Sequence, residues 1–215
     1  MKDLKMNASQ FSLYEYSTSP TCLAVEVALR ECKAEFRLHE LDPNKPKTKA
    51  FLQKSLFGRV PLLVEHRLSG DFWITETPAI LLYLAERFKN SPLCLDDLYT
   101  KSEVFAWMSV WDSELAGLIL RVFERSSDLK ENDSELFLLE RYLETLNKYL
   151  AQRAFLVGAY SVADVLATPF LDIVRKIPAI SINNFPSLNS WRSRLCSRPS
   201  YKAVLQAKET SLSPI

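Results

Sequence analysis

The chain has 215 residues, 47% of them apolar and 25% charged, with 27 basic against 26 acidic side chains for a net charge of +1. The balance holds along its length, with 13 basic and 11 acidic residues up to Asn90 and 14 and 15 beyond it. This excludes the basic excess that nucleic acid or an anionic membrane would require, and no apolar run approaches the ~20 residues that span a bilayer.

Residues 1–10 read as a polar extension without periodicity and without the apolar segment of a signal peptide. Phe11 to Tyr16 alternates and is aromatic-rich, which predicts a strand. Ser17 to Thr21 is a turn, and Cys22 to Cys32 a helix with Leu23, Val25, Val27, Ala28 and Leu29 among good helix formers. Ala34 to His39 alternates again. Strand, helix and strand within about thirty residues make a βαβ unit with parallel strands. Asp42 to Ser55, with two prolines and four lysines, reads as loop or irregular helix.

The stretch Gly58 to Phe88 holds three devices. Arg59-Val60-Pro61 enters the apolar run Leu62 to Val64, and proline suits a strand start. Phe72 to Ile74 is a second short strand, joined to the first through Ser69-Gly70-Asp71. Glu76-Thr77-Pro78 then opens a helix, with Thr77 as N-cap and Pro78 as the first helical residue. Its apolar face is Ile80, Leu81, Tyr83, Leu84 and Phe88.

Asn90-Ser91-Pro92 breaks the pattern, and no convincing strand follows. Helical periodicity marks Asp97 to Arg125, Ser134 to Gln152, Ser161 to Lys176, Ser187 to Cys196 and Pro199 to Lys208. Pro169 should bend the third of these or end its first part. Ser161-Val-Ala-Asp164 has the form of a capping box. The predicted division is an extension at 1–10, an α/β domain at 11–90, a linker at 91–96 and an all-helical domain at 97–215.

Four cysteines, Cys22, Cys32, Cys94 and Cys196, form no C-x-x-C pair, and the two histidines are His39 and His66. This excludes the usual Cys/His zinc spacing and fits reduced thiols in a cytoplasmic protein.

Val60-Pro61, the hairpin after it and Glu76-Thr77-Pro78-Ala79-Ile80 together resemble the glutathione-binding half of the soluble glutathione transferases. Gly158-x-x-Ser161-x-x-Asp164 resembles a folding motif in the helical half of that family. The likeness covers roughly residues 10 to 208 and is nearest to bacterial transferases of serine or omega-like kind. It implies a thioredoxin-like domain followed by an all-helical domain, with glutathione as co-substrate, a small apolar electrophile or peroxide as second substrate, no permanently bound cofactor or metal, and a homodimer.

The resemblance also implies roles. Val60, ahead of a cis Pro61, would offer its backbone to the tripeptide as an added strand does. Thr77, at a helix N-terminus, would take the γ-glutamyl carboxylate, and Glu76 would face the α-ammonium. Arg59 stands where it would meet the glycine carboxylate, with Lys54 as alternative. Ser19-Pro20 falls where serine-type members carry the activating hydroxyl and omega members a Cys-Pro, so Ser19 is the expected donor to the thiolate. Cys22 is the rival, as a mixed-disulfide former, though one turn into a helix it is expected to face the core. Tyr16 fits the register poorly. Trp107, Met108 and Trp111 lie on the helix that lines the co-substrate pocket in the family, and Trp107 and Trp111 are the expected lining residues. The competing function is a non-catalytic binding or accessory protein on the same scaffold.

Overall fold

The computed structural model describes residues 10–130 and 133–212; apart from Gln10, the extension read at 1–10 lies outside the described residues. It opens with β1 (Phe11–Glu15), α1 (Pro20–Glu31), β2 (Phe36–Glu40), α2 (Lys49–Lys54), β3 (Leu62–Glu65), β4 (Phe72–Thr75) and α3 (Thr77–Arg87). The sheet order is β2-β1-β3-β4, parallel between β1 and β2 and antiparallel elsewhere. This is a thioredoxin-like βαβαββα domain. Phe11 and Leu13 point from β1 into the main core beneath α1 and α3, and both are fully buried. The opposite face carries a small second cluster, Phe51 of α2 with Leu62 and Val64. The lysine-rich loop resolves into the short α2, capped by Thr48, whose hydroxyl accepts the Phe51 N–H at 3.2 Å.

All-helical structure follows: α4 (Leu98–Val110), α5 (Ala116–Glu124), α6 (Ser134–Tyr149), α7 (Val162–Val174), α8 (Pro186–Cys196) and α9 (Pro199–Leu212). Among the described residues, the β pairing beyond Asn90 is a single isolated bridge between Val157 and Ala159. The helix expected from Asp97 to Arg125 is one continuous body with a π turn, Trp111–Leu115, inserted between α4 and α5. Its start matches the sequence signal, since the Asp97 carboxylate accepts the Thr100 N–H at 2.9 Å.

The central element is α7, which packs against α1, α3, α4, α5 and α8. Every residue from Val162 to Leu171 is buried. The capping box forms: Ser161 Oγ accepts the Ala163 N–H, and the Asp164 carboxylate accepts the Ser161 N–H at 3.0 Å. Asp164 also takes the Leu156 N–H at 3.1 Å and the Trp191 indole N–H at 2.9 Å. The helix does not end at Pro169. It runs on to Val174 because apolar contact on all sides outweighs the one hydrogen bond that proline removes.

Two further ion clusters tie the last helices to the first. Arg198, just ahead of α9, forms an ion pair with Glu31 at the end of α1. Lys208 of α9 reaches Glu15 at 2.9 Å and Glu26 at 3.6 Å, both acids being buried.

Candidate functional site at one end of the sheet

Register decides which predicted residues meet. Tyr14 of β1 lies opposite Leu62 of β3, and Leu62 lies opposite Thr75 of β4. Because β3 is antiparallel to both neighbours, its entry and their exits share one end of the sheet. The loop from Tyr16 to Ser19, the Val60-Pro61 entry and the Glu76-Thr77 exit therefore emerge together. The parallel partner β2 also finishes there, sending its loop toward α2. The N-termini of α1 and α3 start at this same end, so their exposed N–H groups add a positive potential.

Ser19 is the N-cap of α1 and is half-buried, with Pro20 as first helical residue. Its Oγ accepts the Cys22 N–H at 3.4 Å and hydrogen-bonds to the Thr21 hydroxyl at 2.9 Å. Cys22 lies directly beneath and is fully buried. Burial pushes its thiol pKa up, and this outweighs the hydrogen bonds from Ser19 and Tyr16. A thiol so enclosed and so protonated is a poor partner for a mixed disulfide.

The α3 entrance corrects the sequence reading. Thr77 is the first helical residue and Glu76 the N-cap, at φ +67°, and no side chain caps the helix. Thr-Pro looks like cap and first turn, but the backbone reverses one residue earlier. Thr77 is thereby drawn inward to 4% exposure, while Glu76 is left exposed. The positive φ is one that non-glycine residues adopt at a cost.

The Val60-Pro61 bond is cis. Ahead of it, Gly58 turns the chain at φ +65°, and the Ser55 hydroxyl donates to the Arg59 carbonyl at 2.9 Å. Arg59 is exposed with its guanidinium over the Phe57 ring, while Lys54 sits over the Trp73 ring. A cation that the sequence reading missed is Lys47, whose Nζ lies 4.5 Å from the centre of the Tyr16 ring. The loop after β2 brings it to the same end. The signal was the lysine run at 45, 47 and 49, set in a segment with too little periodicity to be placed.

Of the pair expected to line a co-substrate pocket, Trp111 turns into the core and Trp107 lines a hollow on α4. Trp111 is fully buried and stacks on Phe170 of α7. It belongs to the stripe Val104, Met108, Trp111, Leu115, Leu118 and Val122, whose spacing of three and four turns it into the core. Trp107 packs against Tyr149 of α6, ring centres 4.9 Å apart, in a hollow shared with Glu103, Ala106 and Val110. No residue of the sheet end lines that hollow.

Residues 9–86 match the family profile described as glutathione S-transferase, N-terminal domain, and residues 110–199 that of the C-terminal domain. The chain belongs to the glutathione S-transferase family. Glutathione S-transferase 1 of Schizosaccharomyces pombe is 26% identical to it, covering 95% of this chain and 99% of the relative. FtsZ-localized protein A of Caulobacter vibrioides is 25% identical, covering 94% of each. Among solved structures, glutathione transferase URE2P8 from Phanerochaete chrysosporium with oxidized glutathione superposes with a TM-score of 0.80. That match has 22% identity and covers 98% of this chain and 100% of that one. Within this glutathione S-transferase fold, the Asp164 capping box is remote from the sheet end. It holds α7, the Leu156 backbone and Trp191 in place.

Proposed function

We propose that this protein is a glutathione transferase, in which glutathione lies across the sheet end and Ser19 stabilises its thiolate for attack on a small apolar electrophile or peroxide. The observation that carries this reading is the register: it gathers the Ser19 loop, Val60, Glu76 and Thr77 at one edge, at the foot of two helices. The relative crystallised with oxidized glutathione and the relatives named transferases support it.

The chemistry follows from the groups present. A free thiol of pKa ~8.5 is mostly protonated near neutral pH. Ser19 Oγ already accepts the Cys22 N–H, so its own proton is free to turn from Thr21 toward a thiolate. That hydrogen bond, with the α1 N-terminus behind it, lowers the thiol pKa by favouring the anion. The uncapped N–H groups of α3 receive the γ-glutamyl carboxylate, and Glu76 pairs with the neighbouring ammonium. Val60 offers its backbone to the cysteinyl residue. Arg59 and Lys47 are the cations for the glycine carboxylate, Lys47 being the better fixed of the two. No cofactor or metal enters the reaction. In this reading the protein is cytoplasmic, residues 11–90 hold glutathione, and the helical part from 97 supplies the second substrate's surface. Two subunits pair through the helices beginning at Thr77 and Leu98.

A second reading, an accessory binding protein, draws on the relative named for localisation with FtsZ. Passage over immobilised glutathione separates the two. Retention and release by free glutathione is the expected result; flow-through moves the assignment to the accessory role.

A further inference from the structure

The only two histidines of the chain converge on one serine, away from the sheet end just described. Ser12 is the second residue of β1, on the face opposite the main core. Its Oγ lies 2.9 Å from His66 Nε2 and 3.2 Å from His39 Nε2. His39 comes from β2 and His66 directly follows β3, so the chain on either side of β1 sends one imidazole to the same point. On its far side, His66 Nδ1 meets the Asp71 carboxylate at 2.9 Å.

These contacts fix tautomers. A carboxylate only accepts, so His66 Nδ1 donates to Asp71 and its Nε2 accepts the Ser12 hydroxyl proton. Ser12 Oγ in turn accepts from His39 Nε2–H, a proton that shifts to the other ring nitrogen when a metal binds there. A carboxylate behind a histidine, orienting the opposite nitrogen outward, is the usual support of a metal-binding imidazole. The distances suit the same use. Four ligands at 2.0–2.1 Å from a tetrahedral zinc stand about 3.3 Å from one another. The two Oγ–Nε2 separations here, 2.9 and 3.2 Å, are close to edges of such a face. The outer side is open, with the His66 side chain 39% exposed and that of Asp71 38%.

The order Ser12, His66, Asp71 also resembles a nucleophile, its base and an orienting acid. Ser12, however, is only 6% exposed, and its strand is paired on both sides. Its backbone N–H groups are therefore unavailable to an oxyanion, and acyl transfer lacks its main stabilising element.

We infer that His39 Nε2 and His66 Nε2 bind a divalent first-row transition metal ion such as Zn2+, with Ser12 Oγ and water completing the shell. Among the described residues no three of His, Cys, Asp and Glu gather in a metal-holding group. The site is thus one of two imidazoles with oxygen. Imidazole with oxygen donors selects Zn2+, Ni2+ or Cu2+ over Mg2+ or Ca2+. Arg37 and Lys54, whose positive charges act on His39, oppose a dication, and Asp71 favours it.

The test is calorimetric titration of the intact chain with ZnCl2, on the parent and on His39→Ala, His66→Ala and Asp71→Asn, each checked for unchanged circular dichroism. One equivalent bound by the parent is expected. Each histidine variant should bind at least tenfold more weakly, and Asp71→Asn about ten- to a hundredfold more weakly. Co2+ in place of Zn2+ should give no thiolate charge-transfer band, which separates this site from the free cysteines. No uptake by the parent up to about 0.1 mM zinc, unchanged binding in either histidine variant, or a thiolate band overturns the assignment.

Discussion

Arg198 closes on Glu31 across 167 positions of sequence, its Nε 2.6 Å from one carboxylate oxygen and its Nη2 2.8 Å from the other. Tyr160 and Ser200 donate to the same carboxylate, and the Arg198 guanidinium lies 3.7 Å from the centre of the Tyr160 ring. Burial alone would raise the Glu31 pKa. The hydrogen bonds from Arg198, Ser200 and Tyr160 outweigh it and hold the group below its ordinary value of 4.5.

An acid with a depressed folded pKa binds its proton less tightly in the folded state than in the unfolded one. Its stabilisation is therefore complete above the unfolded value of 4.5 and fades as pH falls through the folded pKa. Glu31→Gln should lower the melting temperature at neutral pH and flatten the loss of stability between about pH 6 and pH 3. Thermal unfolding of parent and variant across that range checks this; parallel curves would assign the acid sensitivity to other carboxylates.

Ser19→Ala should lower turnover ~10- to 1000-fold with little change in glutathione affinity, since the hydroxyl acts on the thiolate. The loss of a helix cap adds a stability cost of about 0.5–2 kcal/mol. Steady-state kinetics beside a melting curve separates the effects. Turnover equal to that of the parent would remove Ser19 from the chemistry.

Glu76 gives a sharper separation of binding from folding. Glu76→Gln keeps the size and loses the charge, so glutathione affinity should fall roughly ten- to a hundredfold while the ligand-free melting temperature hardly moves. Glu76→Gly should weaken binding as well, yet raise stability. A positive φ costs a non-glycine residue about 1–3 kcal/mol, against about 0.5–1 kcal/mol for the greater unfolded freedom of glycine. Titration calorimetry and thermal unfolding of both variants decide it, and undiminished binding by Glu76→Gln would undo the assigned ammonium contact.

Much of this was legible in the chain. The alternating runs at Phe11 and Ala34 and the short apolar runs at Leu62 and Phe72 found their strands, and the Ser161 capping box formed. The α3 entrance was legible only in part. Thr77-Pro78 marks a helix start, but nothing in a glutamate announces a positive φ, which the surrounding chain imposes. Trp111 was a different failure. Its place on the buried stripe from Val104 to Val122 could be read from spacing, and the expectation of a pocket overrode it. Lys47 was beyond reach, because a loop without periodicity does not reveal which of its lysines the fold brings to Tyr16.

Cys22→Ser should leave turnover within about twofold of the parent, because the thiol is enclosed and held protonated. Thiol titration of the native protein should modify Cys94 ahead of Cys22, as the former is partly exposed. Loss of activity in Cys22→Ser with Ser19→Ala still active would establish a mixed-disulfide mechanism instead.

A homodimer is expected in solution, through α3 and α4, where Leu98, Tyr99 and Phe105 are exposed. Sedimentation at micromolar concentration checks this. A lone species of 24.7 kDa, the mass of one chain, contradicts it.

The contact between Lys208 and Glu15 also sets an order of events in the cell. The two residues are 193 positions apart. At about 5–20 residues per second, a ribosome takes roughly 10 to 40 s to pass from one to the other. Throughout that interval Glu15 and Glu26 have no Lys208 to meet. Glu15, among the first residues made, therefore meets this cation only when nearly the whole chain exists.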